Sequence, residues 1–171
     1  MTEESTTFTA TDLQGFLDEM VDHDRLMLAD RLQRASERLA EYGELVTPGH
    51  GKDSWSAHEV LAHIVVLSKF YGVIFHKVSG GKMTDLDLLN NVGLRDAMDE
   101  QMAQLEPKEL IRMALEDHER TIKALRAADA ASMRRVVKVD GGETMTAEEV
   151  ARLPLISHLE LHIDQLARAL A

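Results

Sequence analysis

The sequence contains no cysteine among its 171 residues. The protein can therefore form neither a disulfide framework nor a metal site with thiolate ligands. Nucleophilic sulfur chemistry is open to it only if another molecule supplies the thiol. The absence of cysteine thus restricts the protein's own side chains and leaves a thiol cosubstrate open.

The first residues and the basic residues of the given sequence argue against a signal peptide and against a basic patch. Its first ten residues, MTEESTTFTA, are polar and acidic, unlike the basic and apolar regions of a signal peptide. The densest apolar stretch, 60–75, is interrupted by His63, Ser68 and Lys69, which argues against a membrane span. We therefore expect a cytoplasmic protein without membrane contact. Thirty acidic and nineteen basic residues give a net charge of −11, and the scattered basic residues argue against nucleic-acid binding.

The length and the apolar content of 44% are enough for one sizeable core. We expect a single domain over residues 1–171. Helical periodicity predicts a long amphipathic helix from Asp12 to Tyr42, which Gly43 ends. The apolar positions that define this helix fall mostly three or four residues apart: Leu13, Phe16, Leu17, Met20, Met27, Ala35, Leu39 and Tyr42.

A second helix follows the loop segment VTPGHGKDSW. Ser54 or Ser56 is its expected cap, with Glu59 three residues after Ser56. The run IVVLSKFYGVIF is apolar on almost its whole circumference. Because such a helix is stable only when most of its surface is buried, we place it at the centre of a helical bundle.

The remaining segments complete an all-α, four-helix bundle with one long crossover. The crossover is expected from Val78 to Asn91, with a short helical piece in it, and a weaker helix from Leu94 to Leu105. Pro107 opens the third main helix. The segment RRVVKVDGGETMTAEEV predicts a short hairpin or ordered loop, with Thr146 and Glu149 as a capping box. Pro154 is predicted to open the last helix, whose inward residues are Leu155, Leu159, Leu166 and Ala169.

Two histidines of the last helix, in HLELHIDQL, lie four residues apart. This spacing places His158 and His162 on one face, roughly 6 Å apart along the axis, and Gln165 returns to that face. The pair is either part of a metal site or a hydrogen-bonded pair in the core. It is not the HExxH of a zinc peptidase, since Leu159 occupies the position of the general base.

A third metal ligand would have to come from another helix. His58 and His63 are five residues apart on the second helix, hence about 140° apart around its axis, and cannot face the same centre. His63 lies on the more apolar face, and we expect His58 to face water. His118 lies on an apolar stripe and is either an ordinary core histidine, a residue that supports the ligands or a substitute ligand. The other histidines have the surroundings of surface or loop residues: His23, His50 and His76.

Together these segments resemble the DinB/YfiT-like superfamily of bacterial metalloproteins. The resemblance is carried by Trp55 at the entry to the second helix, by EVLAHIVVL with a histidine eight residues after the tryptophan, and by the HxxxHxxQ form of HLELHIDQL. It implies an up-down-down-up bundle, often dimeric, in which His63, His158 and His162 hold a divalent metal. Many relatives carry an aspartate three residues after the first histidine, where this chain has Val66.

Three imidazoles leave coordination positions open, as in catalytic rather than structural metal sites. Members of the superfamily include S-transferases and isomerases that use mycothiol or bacillithiol. The resemblance therefore predicts a homodimeric S-transferase that uses zinc or nickel and a low-molecular-weight thiol, with Gln165 and Tyr71 as polar groups near the site. Alternatives are a stress-related protein that binds metal or ligand without catalysis, a metal-dependent hydrolase, and a plain helical bundle with three core histidines.

Overall fold

The computed structural model describes residues 7–171. Four long helices dominate it, which confirms the all-α class. The elements in chain order are α1 (Ala10–Gly43), α2 (Ala57–Ser79), β1 (Asp85–Leu86), α3 (Val92–Met102), α4 (Pro107–Ala127), α5 (Ala130–Met133), β2 (Val136–Val139), β3 (Thr144–Thr146), α6 (Ala147–Val150), a π-helical segment (Ala151–Ser157) and α7 (His158–Leu170).

Contacts between side chains and backbone fix the directions of the four long helices. In parallel helices the residue numbers of contacting pairs rise together, and in antiparallel helices they run in opposite senses. The pairs are Arg25–Leu125 and Gly43–Ile111 between α1 and α4, Arg31–Glu160 and Arg38–Asp164 between α1 and α7, His58–Leu105 and Ser68–His118 between α2 and the α4 region, and His63–His162 and Tyr71–His158 between α2 and α7. The four helices in chain order therefore run up, down, down, up, as expected.

Helix α2 lies at the centre of the bundle, packed against both α4 and α7. It begins with the capping box formed by Ser56 and Glu59, so the cap is the second of the two predicted serines. By length and composition α2 is the one helix among residues 7–171 that could cross a bilayer. Its apolar circumference is instead covered by neighbouring helices, with 67% of the relevant window buried.

A small three-stranded sheet covers one end of the bundle and includes the predicted hairpin. Strands β2 and β3 pair antiparallel, with Asp140 and Gly141 at positive φ in their tight turn. Strand β1 pairs parallel with β2, so the short helical piece expected within 78–91 is wrong. The Asp140 carboxylate accepts the backbone N–H groups of Leu88 and Leu89. These two hydrogen bonds from a turn distant in sequence hold the crossover in an extended conformation. The local sequence of the crossover does not reveal this contact.

The first half of α1 corrects the predicted core stripe. Met27, in the covered half, is exposed because it does not lie on the buried face of α1. Leu13, Phe16, Leu17 and Met20 are exposed as well, and they all precede Arg25, where the buried residues of α1 begin. The cause is length: the 34 residues of α1 extend about 51 Å, whereas the 21 residues of α4 extend about 32 Å. The first turns of α1 therefore project beyond the helices that cover its second half.

The last helix begins earlier than predicted. The Thr146 side chain accepts the backbone N–H of Glu149 and starts α6, which continues through the π-helical segment into α7. Pro154 therefore lies inside a helical run and does not open one. Leu155, Leu159 and Leu166 face the core as expected. Ala169 is exposed instead, and Ile163 is buried in its place.

Candidate metal centre

The three predicted histidines lie together near one end of the bundle. His63 comes from α2, and His158 and His162 come from α7. One ring nitrogen from each lies within 4.8 Å of the other two, so the group is able to hold one metal ion. Nitrogens bound to a single zinc ion would lie roughly 3.4 Å apart, given a bond of about 2.1 Å. Metal binding would therefore require the ring nitrogens to move closer together.

The hydrogen bonds of the three rings decide which nitrogen is free. Each Nδ1 faces an oxygen that can only accept a hydrogen bond, so each Nδ1 must carry the proton. The pairs are His63 with Asp99 Oδ2 at 2.8 Å, His158 with the Pro154 carbonyl at 3.1 Å, and His162 with Gln165 Oε1 at 2.8 Å. All three Nε2 atoms therefore keep a lone pair. This outer set of acceptors is what metal-binding histidines usually have.

Electrostatics keep two of the rings neutral. Burial lowers the pKa of His158 and of His162, and the proximity of the His63 ring lowers both further. The cation of Arg95 also disfavours protonation and so lowers the pKa of His158. A neutral imidazole is the form that binds a metal. The surroundings of the two α7 histidines therefore favour the form that can bind an ion.

The π-helical segment positions His158. Pro154 has no backbone N–H, and the N–H of His158 bonds to the carbonyls of Leu153 and Leu155. The intervening carbonyl of Pro154 accepts the hydrogen bond from the His158 ring. Irregular turns of this kind occur frequently at functional sites. Here the irregular turn provides the acceptor that orients one ring.

Two residues of α3 belong to the site, and the sequence analysis missed both. Asp99 is the carboxylate bonded to His63, and Arg95, one turn earlier, donates from Nη1 to the Tyr71 hydroxyl at 3.1 Å. Helix α3 packs directly on α2. Val66, at the position where many relatives carry an acid, is buried in the core. The sequence held no local signal for Asp99, because its role depends on how the crossover folds back.

Aromatic side chains border the three histidines. The Trp55 ring lies 4.9 Å from the His63 ring and 6.4 Å from the His162 ring, measured between centroids. The Tyr71 ring lies 6.2 Å from that of His158. Trp55 is 43% exposed, and the three histidines are partly exposed. A small molecule can therefore approach the free ring nitrogens from solvent.

Two other histidines are structural. His58, expected to face water, is buried: its Nδ1 accepts the Gly49 N–H at 3.2 Å, and its Nε2 donates to the Leu105 carbonyl at 2.7 Å. The expectation failed because loops cover the face of α2 opposite His63. His118 is the expected core histidine, bonded to Ser68 and Ser36, and burial lowers its pKa to about 4. The remaining histidines are exposed as predicted: His23, His50 and His76.

Features outside the cluster do not contribute to it. Glu160 forms an ion pair with Arg31 and faces away from the three ring nitrogens. A groove of about 710 Å³ lies between α2 and α4, with Lys69, Gly72 and Thr121 in its wall. None of the three clustered histidines lines that groove, so we place the candidate chemistry at the histidines.

Comparison with known proteins gives the same fold. The chain resembles the mycothiol-dependent maleylpyruvate isomerase at a TM-score of 0.67 and 18% identity, over 85% of this chain and 60% of the other. It thus spans 60% of the length of that enzyme. It also resembles YfiT from Bacillus subtilis, described as a probable metal-dependent hydrolase with an unusual four-helix bundle topology, at a TM-score of 0.56 and 16% identity, over 97% and 91% of the two chains.

No curated protein sequence matches the chain. At such low identities the two structural likenesses establish the fold alone. The family is established by the sequence itself, since residues 20–166 match the family model of the DinB superfamily. This chain belongs to the DinB superfamily.

Proposed function

We propose that the protein is a metal-dependent S-transferase, in which His63, His158 and His162 bind a divalent ion and a low-molecular-weight thiol attacks an electrophile. The observation that carries this proposal is that each of three clustered rings donates a hydrogen bond from Nδ1 to an oxygen, which leaves the Nε2 lone pair of each ring free. Three neutral nitrogen ligands suit zinc or nickel. They also leave room for an exogenous ligand.

A bound divalent ion would stabilise the thiolate form of an incoming thiol near neutral pH. The chain's own residues would orient the reactants. Trp55 lies beside His63 and Tyr71 beside His158, so their rings would border the bound thiol and electrophile. A carbon–sulfur bond forms, the leaving group departs with its electron pair, and the thiol proton passes to solvent. Because the chain has no cysteine, the thiol would be a cosubstrate. A thiol of the mycothiol or bacillithiol type is suggested by the similarity to a mycothiol-dependent isomerase.

Hydrolysis by a metal-activated water is the main alternative, and one structural neighbour is described as a probable hydrolase. Two carboxylates of the described residues that adjoin the ligands, Asp99 and Glu160, offer no free base for hydrolysis. Asp99 is occupied by His63, and Glu160 is occupied by Arg31. Neither is placed as a general base for water. A protein that binds metal or ligand without catalysis is the second alternative.

The test compares wild type with His162→Ala and with His76→Ala, an exposed histidine, as the matched control. Untagged protein is loaded with zinc or nickel, its metal content is measured, and bacillithiol or mycothiol is added with 1-chloro-2,4-dinitrobenzene and a panel of further electrophiles. We expect His162→Ala to lose both the ion and thiol consumption, while His76→Ala keeps both. Equal transfer by metal-free His162→Ala would contradict the proposal. Ester cleavage without thiol consumption would favour the hydrolase, and metal binding without either reaction would favour the binding protein.

The exposed half of α1 supports the predicted homodimer. Phe8 and Phe16 stack at 5.7 Å between ring centroids, and the apolar face continues through Leu13, Leu17 and Met20. A contiguous apolar face of this kind is typical of protein interfaces. We infer that a second copy of the chain covers it. The cytoplasmic location stays a prediction.

A further inference from the structure

We propose that Arg95, together with the Tyr71 hydroxyl, forms an anion-binding subsite that anchors a carboxylate of the substrate beside the metal centre. This inference rests on the proposed function, because it assumes that the substrate reacts at the histidines, and it adds the chemical class of that substrate. Arg95 lies one helical turn before Asp99 on α3. Helix α3 thus supplies both the Asp99 carboxylate that accepts the hydrogen bond from His63 and, one turn earlier, the cation of Arg95.

The Arg95 side chain is held in one position. Its Nη1 donates to the Tyr71 hydroxyl at 3.1 Å, and its Nη2 donates to the Leu88 carbonyl at 3.0 Å. The guanidinium carbon lies 5.3 Å from the centroid of the Phe70 ring, within reach of a cation–π contact. Tyr71 in turn lies against His158. A pre-positioned cation loses little side-chain entropy when it binds a ligand.

The charge of Arg95 has no acidic partner among residues 7–171. Arg95 and Asp99 are four residues apart, a spacing at which oppositely charged side chains usually pair along a helix. Asp99 bonds to His63 instead, and no described carboxylate comes within ion-pair distance of Arg95. The site therefore presents a cation without an acidic partner next to the histidine cluster.

The unused donors match a carboxylate. A guanidinium has five N–H groups, and Arg95 uses Nε toward the Asn91 carbonyl, one group of Nη1 toward Tyr71 and one of Nη2 toward Leu88. One N–H on each terminal nitrogen is left and is available to a ligand. Guanidinium groups commonly bind a carboxylate with two N–H donors. The Tyr71 hydroxyl accepts from Arg95 and keeps its own proton to donate. The subsite thus recognises a planar anion better than a neutral amide.

A purely structural role for Arg95 would be to tie the carbonyls of Leu88 and Asn91 to α3. The two roles differ in what a substitution changes. Loss of the tie lowers the free energy of unfolding, whereas loss of the subsite weakens anion binding in protein that is still folded. The experiment must therefore measure binding directly.

The binding test uses zinc-loaded protein and two probes, succinate and its neutral analogue succinamide, by titration calorimetry. Arg95→Gln removes the charge, Arg95→Lys keeps the charge without the fork, and Arg34→Gln changes an exposed arginine of α1 as the control. We expect succinate to bind wild type and the control, to bind Arg95→Gln roughly 10- to 100-fold more weakly, and to bind Arg95→Lys with intermediate affinity. Succinamide should bind all four proteins equally weakly.

Succinate stands for a carboxylate on the electrophile, and mercaptoacetate stands for one on the thiol. The proposal is overturned if, at equal zinc content and equal circular dichroism, Arg95→Gln binds both anions as tightly as wild type does. Failure of wild type to bind either anion more tightly than its neutral analogue would overturn it as well. The same would follow if binding disappeared in metal-free His162→Ala but persisted in Arg95→Gln, because the ion alone would then hold the carboxylate. Arg95→Lys guards against a folding defect in Arg95→Gln, since it preserves the cation.

A second pair of probes locates the carboxylate on the thiol or on the electrophile. Mercaptoacetate carries a carboxylate on the thiol and 2-mercaptoethanol does not, while succinate and succinamide represent the electrophile. If Arg95→Gln loses the preference for one of the two anions over its neutral analogue, that pair shows whether the carboxylate lies on the thiol or on the electrophile. If Arg95→Gln keeps both preferences, the subsite is refuted. Since none of these measurements needs turnover, an anion preference that depends on Arg95 would stand even if thiol transfer were not observed. In that case only the proposed reaction fails.

Discussion

The hydrogen bond from His63 to Asp99 makes a quantitative prediction about metal affinity. Asp99→Asn keeps the shape of the side chain but removes the negative charge that strengthens the His63 Nδ1–H bond, 2.8 Å long in the structure. Loss of such an outer partner typically weakens metal binding 10- to 100-fold. This corresponds to about 1.4–2.7 kcal/mol.

The same change should appear in thermal unfolding. With metal in excess of its dissociation constant, a 100-fold weaker affinity removes about 2.7 kcal/mol of metal-dependent stabilisation. For a domain of this size, 1 kcal/mol shifts the melting temperature by about 2–4 °C. The rise in melting temperature on adding zinc should therefore be smaller in Asp99→Asn than in wild type, by about 5–10 °C at the upper limit of affinity loss.

The measurement is a zinc titration against a competing chelator, followed by melting with and without zinc. Asp96→Asn is the matched control, because Asp96 lies exposed on the same helix, and His63→Ala defines complete loss of the site. If zinc binds Asp99→Asn within twofold of wild type while His63→Ala loses it, Asp99 does not support the ligand. An equal loss of metal-free stability in Asp99→Asn would instead indicate a packing role.

Three further predictions concern the core histidines and α1. His58→Leu should lower the free energy of unfolding in urea by about 2–4 kcal/mol, since it leaves Gly49 N–H and the Leu105 carbonyl unpaired, while metal content stays unchanged. Burial lowers the pKa of His118 to about 4, so the unfolded chain takes up a proton below about pH 6.5 that the native state refuses, and stability falls as the pH drops toward 4. Between pH 7 and pH 5 metal-free wild type should lose about 2 kcal/mol more than His118→Gln; equal losses would refute this. Phe16→Glu should convert the dimer to monomer in light scattering without lowering the melting temperature, and a monomeric wild type would contradict the inferred interface.

Those parts of the fold that depend on local patterns were predictable from sequence. Ser56 and Glu59 form the expected cap of α2, and the apolar circumference of that helix corresponds to its central position. The one-turn spacing of His158 and His162 places both on one face of α7. In each case the deciding interactions lie within one helix or its first turn, so residue spacing alone contains the information.

Features that depend on which elements meet were not predictable from sequence. The periodicity of α1 identified an apolar face but not where the covering helices end, so Phe16 is exposed. His58 is buried because the loop at Gly49 and the turn at Leu105 close over α2. Asp99 reaches His63 only because α3 packs on α2. A single sequence encodes these contacts, but residue spacing does not reveal them.

The bundle topology explains why the support for the site comes from the crossover. Helices α2 and α4 are parallel, so the chain must return along the full length of α2, about 34 Å for 23 residues, before α4 can begin. Residues 80–106 make this return and carry α3 back past His63. Asp99 and Arg95 are therefore brought to the site by a segment whose path is dictated by topology, while the three histidines lie on the two long helices. Helix α3 has no fully buried residue, so the bundle core does not depend on its side chains. Substitutions in α3 should therefore change metal affinity and anion preference while the three histidine ligands and the core stay in place.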